Sequence, residues 1–91
     1  MNRAAFEADV KTVNAVVRSL EIIGEAARAL PPWLTQKYPE AWSDMIAMRN
    51  VLAHGYWSVD LDIVWSTAVD DLPRLESAIV EILAVEEEAA P

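Results

Sequence analysis

One apolar stripe governs how the first third of this chain can fold. Phe6, Val10, Val13, Val17, Leu20, Gly24 and Ala27 recur at alternating spacings of four and three residues. That period lays them along one face of an α-helix and does not fit the two-residue alternation of a strand. The stripe predicts a helix from about Ala4 to Ala29, widened by Ala15, Ile22, Ile23 and Ala26 so that it meets two neighbours. Gly24 inside it costs about 1 kcal/mol against Ala unless the missing side chain lets another helix cross closely, and a close crossing is expected there. Pro31-Pro32 ends the helix, because proline supplies no amide hydrogen and pushes the preceding residue out of the α region.

The rest of the chain reads the same way. A short helical turn from Trp33 to Tyr38 is expected before Pro39, then a second long helix capped by Ser43, carried by Met45, Ile46, Met48, Val51 and Leu52, and ending near Gly55. Asp60 or Asp62 starts the next helix, and Pro73 marks a restart or kink. Leu72, Leu75, Ile79, Ile82 and Leu83 continue the apolar stripe, and residues 86–91 read as a frayed acidic tail on a single domain of residues 1–85. Only two of the 91 residues are glycine and 54 % are hydrophobic, a balance that favours helix and argues against disorder. The expected fold class is all-α: a small antiparallel bundle of three to four main helices.

Absences narrow the function classes. Without cysteine there is neither a thiol nucleophile nor a thiolate metal site. The paired aspartates Asp60/Asp62 and Asp70/Asp71 flank helix starts, where carboxylates cap amides, so no metal and no cofactor is expected. No apolar run approaches the ~20 residues of a membrane span and no signal-peptide pattern opens the chain, so a cytoplasmic protein is expected. The net charge of −8 repels nucleic acid at long range and makes DNA an unexpected ligand, so RNA would have to be met by a local patch. A chain of this length also has a thin core, which a symmetric partner would help to cover.

The chain's single histidine sits in Arg49-Asn50-Val51-Leu52-Ala53-His54-Gly55-Tyr56. On a regular helix Arg49 and His54 lie about 140° apart, but a stop at Gly55 frees the imidazole to turn. Histidine is the side chain whose ordinary titration falls near neutrality, and a guanidinium can hold a phosphodiester bidentately. Metal-independent RNA cleavage needs a base for the 2′-hydroxyl, an acid for the 5′-oxygen and a cation at the phosphate. One histidine per chain supplies half of this, and two chains about a two-fold axis would supply it all.

The motif resembles the R-x4-H signature of the HEPN superfamily, in the R-x4-H-x-Y form of HepT-like toxins. Val17-Arg18-Ser19-Leu20-Glu21-Ile22-Ile23-Gly24-Glu25-Ala26-Ala27, Val59-Asp60-Leu61-Asp62-Ile63-Val64-Trp65 and Asp71-Leu72-Pro73-Arg74-Leu75 resemble that family too. The resemblance implies a homodimer that joins two motifs into one RNA-cleaving site, as the toxin of a toxin–antitoxin pair. It further implies a MntA-type nucleotidyltransferase partner that transfers AMP to Tyr56. Carried over, Arg49 and His54 are catalytic, Asn50 is a polar helper and Glu25 supports from opposite the cleft. Family members carry a further helix before the segment matching Phe6 to Ala29; its lack here keeps a non-cleaving module that binds a nucleotidyltransferase or RNA as the alternative.

Plainer roles stand beside these. His54 fits a helix-capping imidazole, and Arg49 fits an ion-pair partner of Glu25 or Asp44, a role compatible with catalysis. The tryptophans Trp33, Trp42, Trp57 and Trp65 are expected in the core or a dimer contact rather than as base-stacking platforms.

Overall fold

The computed structural model describes residues 1–54 and 60–90, and every element in them is helical. The order is α1 (Arg3–Ala8), α2 (Val10–Arg28), α3 (Pro32–Lys37), α4 (Pro39–Ala53), α5 (Leu61–Ser66), a π-helical turn (Thr67–Asp71) and α6 (Leu72–Ala89). The all-α expectation holds.

The long first helix is divided. Asp9, with extended backbone, closes α1 and caps α2. Its carboxylate accepts from the Thr12 hydroxyl at 2.9 Å and from the Thr12 amide at 3.2 Å, and these bonds hold it below the usual carboxylate range. An aspartate offered a threonine three residues on prefers this local cap to helix continuation. The stripe is buried at Phe6, Val13, Val17, Leu20, Gly24 and Ala27, but Val10, first after the break, is 69 % exposed, and Ala15, Ile22 and Ala26 are exposed instead of widening the buried face. Phe6 packs on Trp65 with ring centroids 5.4 Å apart, and Arg3 pairs with Asp62, so α1 closes on α5.

Two packed clusters fix α2 and α4 as an antiparallel pair. Val13, Val17 and Leu20 of α2 meet Met48 and Leu52 of α4, together with Phe6 and Val64, while Ala27 meets Trp42 and Ile82. Higher numbers on one helix therefore face lower numbers on the other. The turn between them is α3, in the place expected for a short helical turn.

Helix α4 starts four residues before the expected cap. Pro39 occupies its first turn, where a missing amide hydrogen goes unnoticed, and Ser43 lies inside the helix on an exposed face. The other end is as expected, since α4 stops at Ala53 with His54 as its cap. Asp60 caps α5, its side chain accepting from the Asp62 amide at 2.8 Å.

Pro73 does not restart the chain. A proline clashes with the carbonyl four residues back, and the helix answers by widening: the Leu72 amide reaches the Thr67 carbonyl, five residues away. α5 and α6 are thereby joined through one continuous helical path. The acidic end is also not a tail from Glu86 onward, because α6 runs to Ala89. Glu86 accepts from Lys37 Nζ and from the Tyr38 hydroxyl, both at 2.7 Å, clamping the end of α6 to the α3–α4 junction.

The tryptophans divide between settings. Trp42 is buried, Trp65 is half-buried against Phe6, and Trp33 is 57 % exposed; Trp57 lies outside the described residues. The Cα trace measures 50 × 27 × 17 Å, so across its shortest direction it is at most two helices thick. Ile22, Val51, Val80 and Leu83 are each more than half exposed in consequence. No helix among the described residues is long and apolar enough to cross a membrane.

The bonds from Lys37 and Tyr38 hold the Glu86 carboxyl below its ordinary value. Its contribution is therefore complete above the ordinary carboxylate range and is lost as pH falls through the depressed value. The difference in urea midpoint between the wild-type chain and Glu86→Gln should be open at neutral pH and close as pH drops below about 4. A gap that stays constant on acidification would overturn the clamp.

Candidate active site

The crossing of α2 and α4 builds the site. A methyl group placed on Gly24 would lie 2.7 Å from the Met45 carbonyl oxygen and would overlap Arg49 Cβ. Only glycine lets the two backbones approach this closely, which is the crossing expected from Gly24 in the stripe. The next residue, Glu25, is thereby carried alongside Arg49, 24 positions away in sequence.

Glu25 and Arg49 form an ion pair through Oε1 and Nε. Asn50 Oδ1 accepts from Arg49 Nη1 at 3.2 Å. Of the guanidinium's five N–H groups, one is thus directed to Glu25 and one to Asn50, and the other three have no partner among the described residues. The Arg49 side chain is 26 % exposed, so its stem is covered while its head reaches solvent. Arg28 Nη1 approaches the same Glu25 oxygen at 3.9 Å. Two cations around one carboxylate leave a local positive excess on a chain whose total charge is −8.

His54 stands at the end of the same helix, exposed, with its amide donating to the Val51 carbonyl at 3.3 Å. Glu25, Arg49 and Asn50 are brought together; His54 is placed a turn beyond them. Among the described residues no hydrogen bond or ion pair joins Arg49 to His54, and Asp44 does not pair with Arg49. Tyr56 and Gly55 lie outside the described residues. Sequence reasoning did not single out Arg28. Its signal was legible, since Arg28 follows Glu25 by three positions on the same helix.

Comparison with known proteins identifies the class. The family model described as ribonuclease HepT-like matches residues 1–82. A protein of Thermococcus cleftensis named a probable ribonuclease HepT is 43 % identical over 72 residues, 78 % of this chain and 66 % of that protein. A Methanocaldococcus jannaschii protein named a candidate RNase is 39 % identical over 79 residues, 86 % of this chain and 65 % of its own length. Another candidate RNase, from Caldanaerobacter subterraneus subsp. tengcongensis, is 40 % identical over 82 residues, 89 % of this chain and 73 % of its own. No solved structure matches significantly. The chain belongs to the HepT-like ribonuclease family. It spans about two thirds of the length of the first two of these relatives.

The close crossing makes a prediction opposite to that of helix propensity. Gly24→Ala should lose about 1–3 kcal/mol of stability in urea titration, because the clash is with backbone and cannot be relieved by a rotamer change. A gain of about 1 kcal/mol, the value for an unhindered helix interior, would show that the crossing is not close.

Proposed function

We propose that this chain is a metal-independent endoribonuclease, the toxin of a HepT/MntA-type pair, working as a homodimer with its active site at the two-fold interface. The observation that supports this best is the placement of Arg49, held by Glu25 and Asn50 at the exposed end of the helix that presents His54. In the proposed reaction, one imidazole takes the proton of the 2′-hydroxyl as its oxygen attacks phosphorus. The 5′-oxygen leaves with a proton from the second imidazole, giving a 2′,3′-cyclic phosphate and a 5′-hydroxyl. The guanidiniums take the charge that builds on the phosphate oxygens. Each chain has one histidine, so the two imidazoles come from two chains. Ile22 and Val51, each about half exposed and close in sequence to Glu25 and Asn50, suit burial by such a partner.

Incubated with RNA in EDTA, the wild-type chain should cleave, and Arg49→Ala or His54→Ala should lower the rate by about 100-fold or more. Equal cleavage by the variants would sink the assignment, and RNA bound but left intact would favour a non-cleaving module. Sedimentation of the same wild-type preparation should give a two-chain mass; a one-chain mass at every concentration would refute the shared site.

The proposed control is AMP transfer to the Tyr56 hydroxyl by a MntA-type nucleotidyltransferase, supported by that tyrosine's position two residues past His54. Co-expression with such an enzyme should add AMP-sized mass to the peptide containing Tyr56 and suppress cleavage. A Tyr56→Phe chain that is silenced just as fully would remove the tyrosine from the control.

A further inference from the structure

A groove of about 580 Å³ runs between α6 and the α3–α4 corner. Its floor is apolar: Met45 and Ile82 are buried there, with Leu75 and Ala78 half-buried beside them. None of Glu25, Arg49, Asn50 or His54 lines it. Asp44, on its wall, and His54 are ten residues apart on one helix, about 15 Å along the axis, so the groove is a separate surface.

The charge around that floor is one-sided. Two cations border the groove, and both are already paired within the chain, Lys37 with Glu86 and Arg74 with Asp71 at 2.9 Å. Glu40, Asp44 and Glu81 line it too and make no ion pair among the described residues. An apolar floor under a rim of unanswered carboxylates is complementary to an apolar stripe flanked by Lys and Arg. A second copy of this chain answers it poorly. Of its seven basic residues, Arg3, Arg18, Lys37 and Arg74 are paired with its own carboxylates, Arg28 and Arg49 share Glu25 at the candidate site, and only Lys11 makes no ion pair among the described residues.

The length of the groove sets the form of the occupant. The wall formed by the end of the π-helical turn and α6 runs from Asp71 to Val85, about 21 Å of helix, which matches some four turns of a second helix laid alongside. The described chain has no sheet edge to recruit a strand. We propose that this groove docks a cationic amphipathic helix of another protein, whose apolar residues at i, i+3, i+4 and i+7 seat on Leu75, Ala78 and Ile82 while its Lys and Arg face Glu40, Asp44 and Glu81. The apolar floor supplies the affinity. The carboxylates select the partner's charge and hasten the encounter, because exposed ion pairs contribute little stability each.

The test uses the full chain and a fluorescein-labelled 14-residue Leu/Lys amphipathic peptide, with a Leu/Glu peptide of the same apolar pattern as comparison. The Leu/Lys peptide should bind, shift the backbone amide resonances of residues 75–85, and bind at least about tenfold more weakly to the Glu40→Lys, Asp44→Lys, Glu81→Lys chain. The Leu/Glu peptide should not bind. Because the shift map is made on the wild-type chain, it stands even if the triple variant folds poorly. Failure of the Leu/Lys peptide to bind, equal binding of the Leu/Glu peptide, or shifts mapping elsewhere would each overturn the proposal. So would shifts of the same amides with protein concentration alone, which would assign the groove to a second copy. No RNA is involved, so the outcome is independent of cleavage.

Discussion

The approach of α2 to α4 at Gly24 is the contact on which the rest of the structure depends. With no side chain at that position, the Met45 carbonyl and the Arg49 stem lie directly against the α2 backbone. The core divides on either side of this point, Val17 and Leu20 with Met48 and Leu52 in one direction and Ala27 with Trp42 in the other. A larger residue there would push the two helices apart and loosen both clusters. The same approach carries Glu25 onto Arg49, so the core and the candidate site share one geometric cause.

What was legible in the sequence follows from how local each determinant is. Most of the stripe from Phe6 to Ala27, the prolines after Leu30 and the Asp60 cap act within one or two turns, and they appear where expected apart from Val10, which is exposed. Gly24 was legible as well, since a glycine inside a regular apolar stripe has few other uses. The departures are places where two local signals compete. Asp9 and Thr12 offer a cap in the middle of the stripe, and the cap wins at the backbone while Phe6 keeps its burial. Pro39 and Ser43 both suit a helix start, and the proline, being earlier, takes it. At Pro73 the alternatives were a restart or a kink; the helical path is not interrupted, and it widens by one residue into a π turn, one of the irregularities at which helices bend.

The end of α6 and the docking groove were illegible for another reason. Glu86 reads as part of a solvated acidic run until the fold places Lys37 and Tyr38 against it, 49 and 48 residues away. The groove likewise combines residues 37–45 with residues 71–85, and nothing in either segment announces the other. In the candidate site the Arg49–Glu25 pair was one of two ion pairs open to the sequence, and only the crossing decides for Glu25 over Asp44.

The pairing of Arg49 with Glu25 poses a question for its proposed role, because a carboxylate beside a guanidinium opposes phosphate binding. Glu25 is 53 % exposed, and a unit charge about 4 Å from another interacts by about 1 kcal/mol in bulk water and about 4 kcal/mol at the effective dielectric of a protein surface, less in salt. Arg side chains carry about 2 kcal/mol of rotamer entropy, much of which is lost when the head is fixed on a ligand. By engaging Nε, Glu25 meets part of that ordering cost within the fold, and with Asn50 on Nη1 three N–H groups have no partner among the described residues. Arg28, near the same carboxylate, offsets its charge further. Under the proposed reaction, then, Glu25 acts as a positioning residue, and the offset from Arg28 is what its repulsion of the substrate requires.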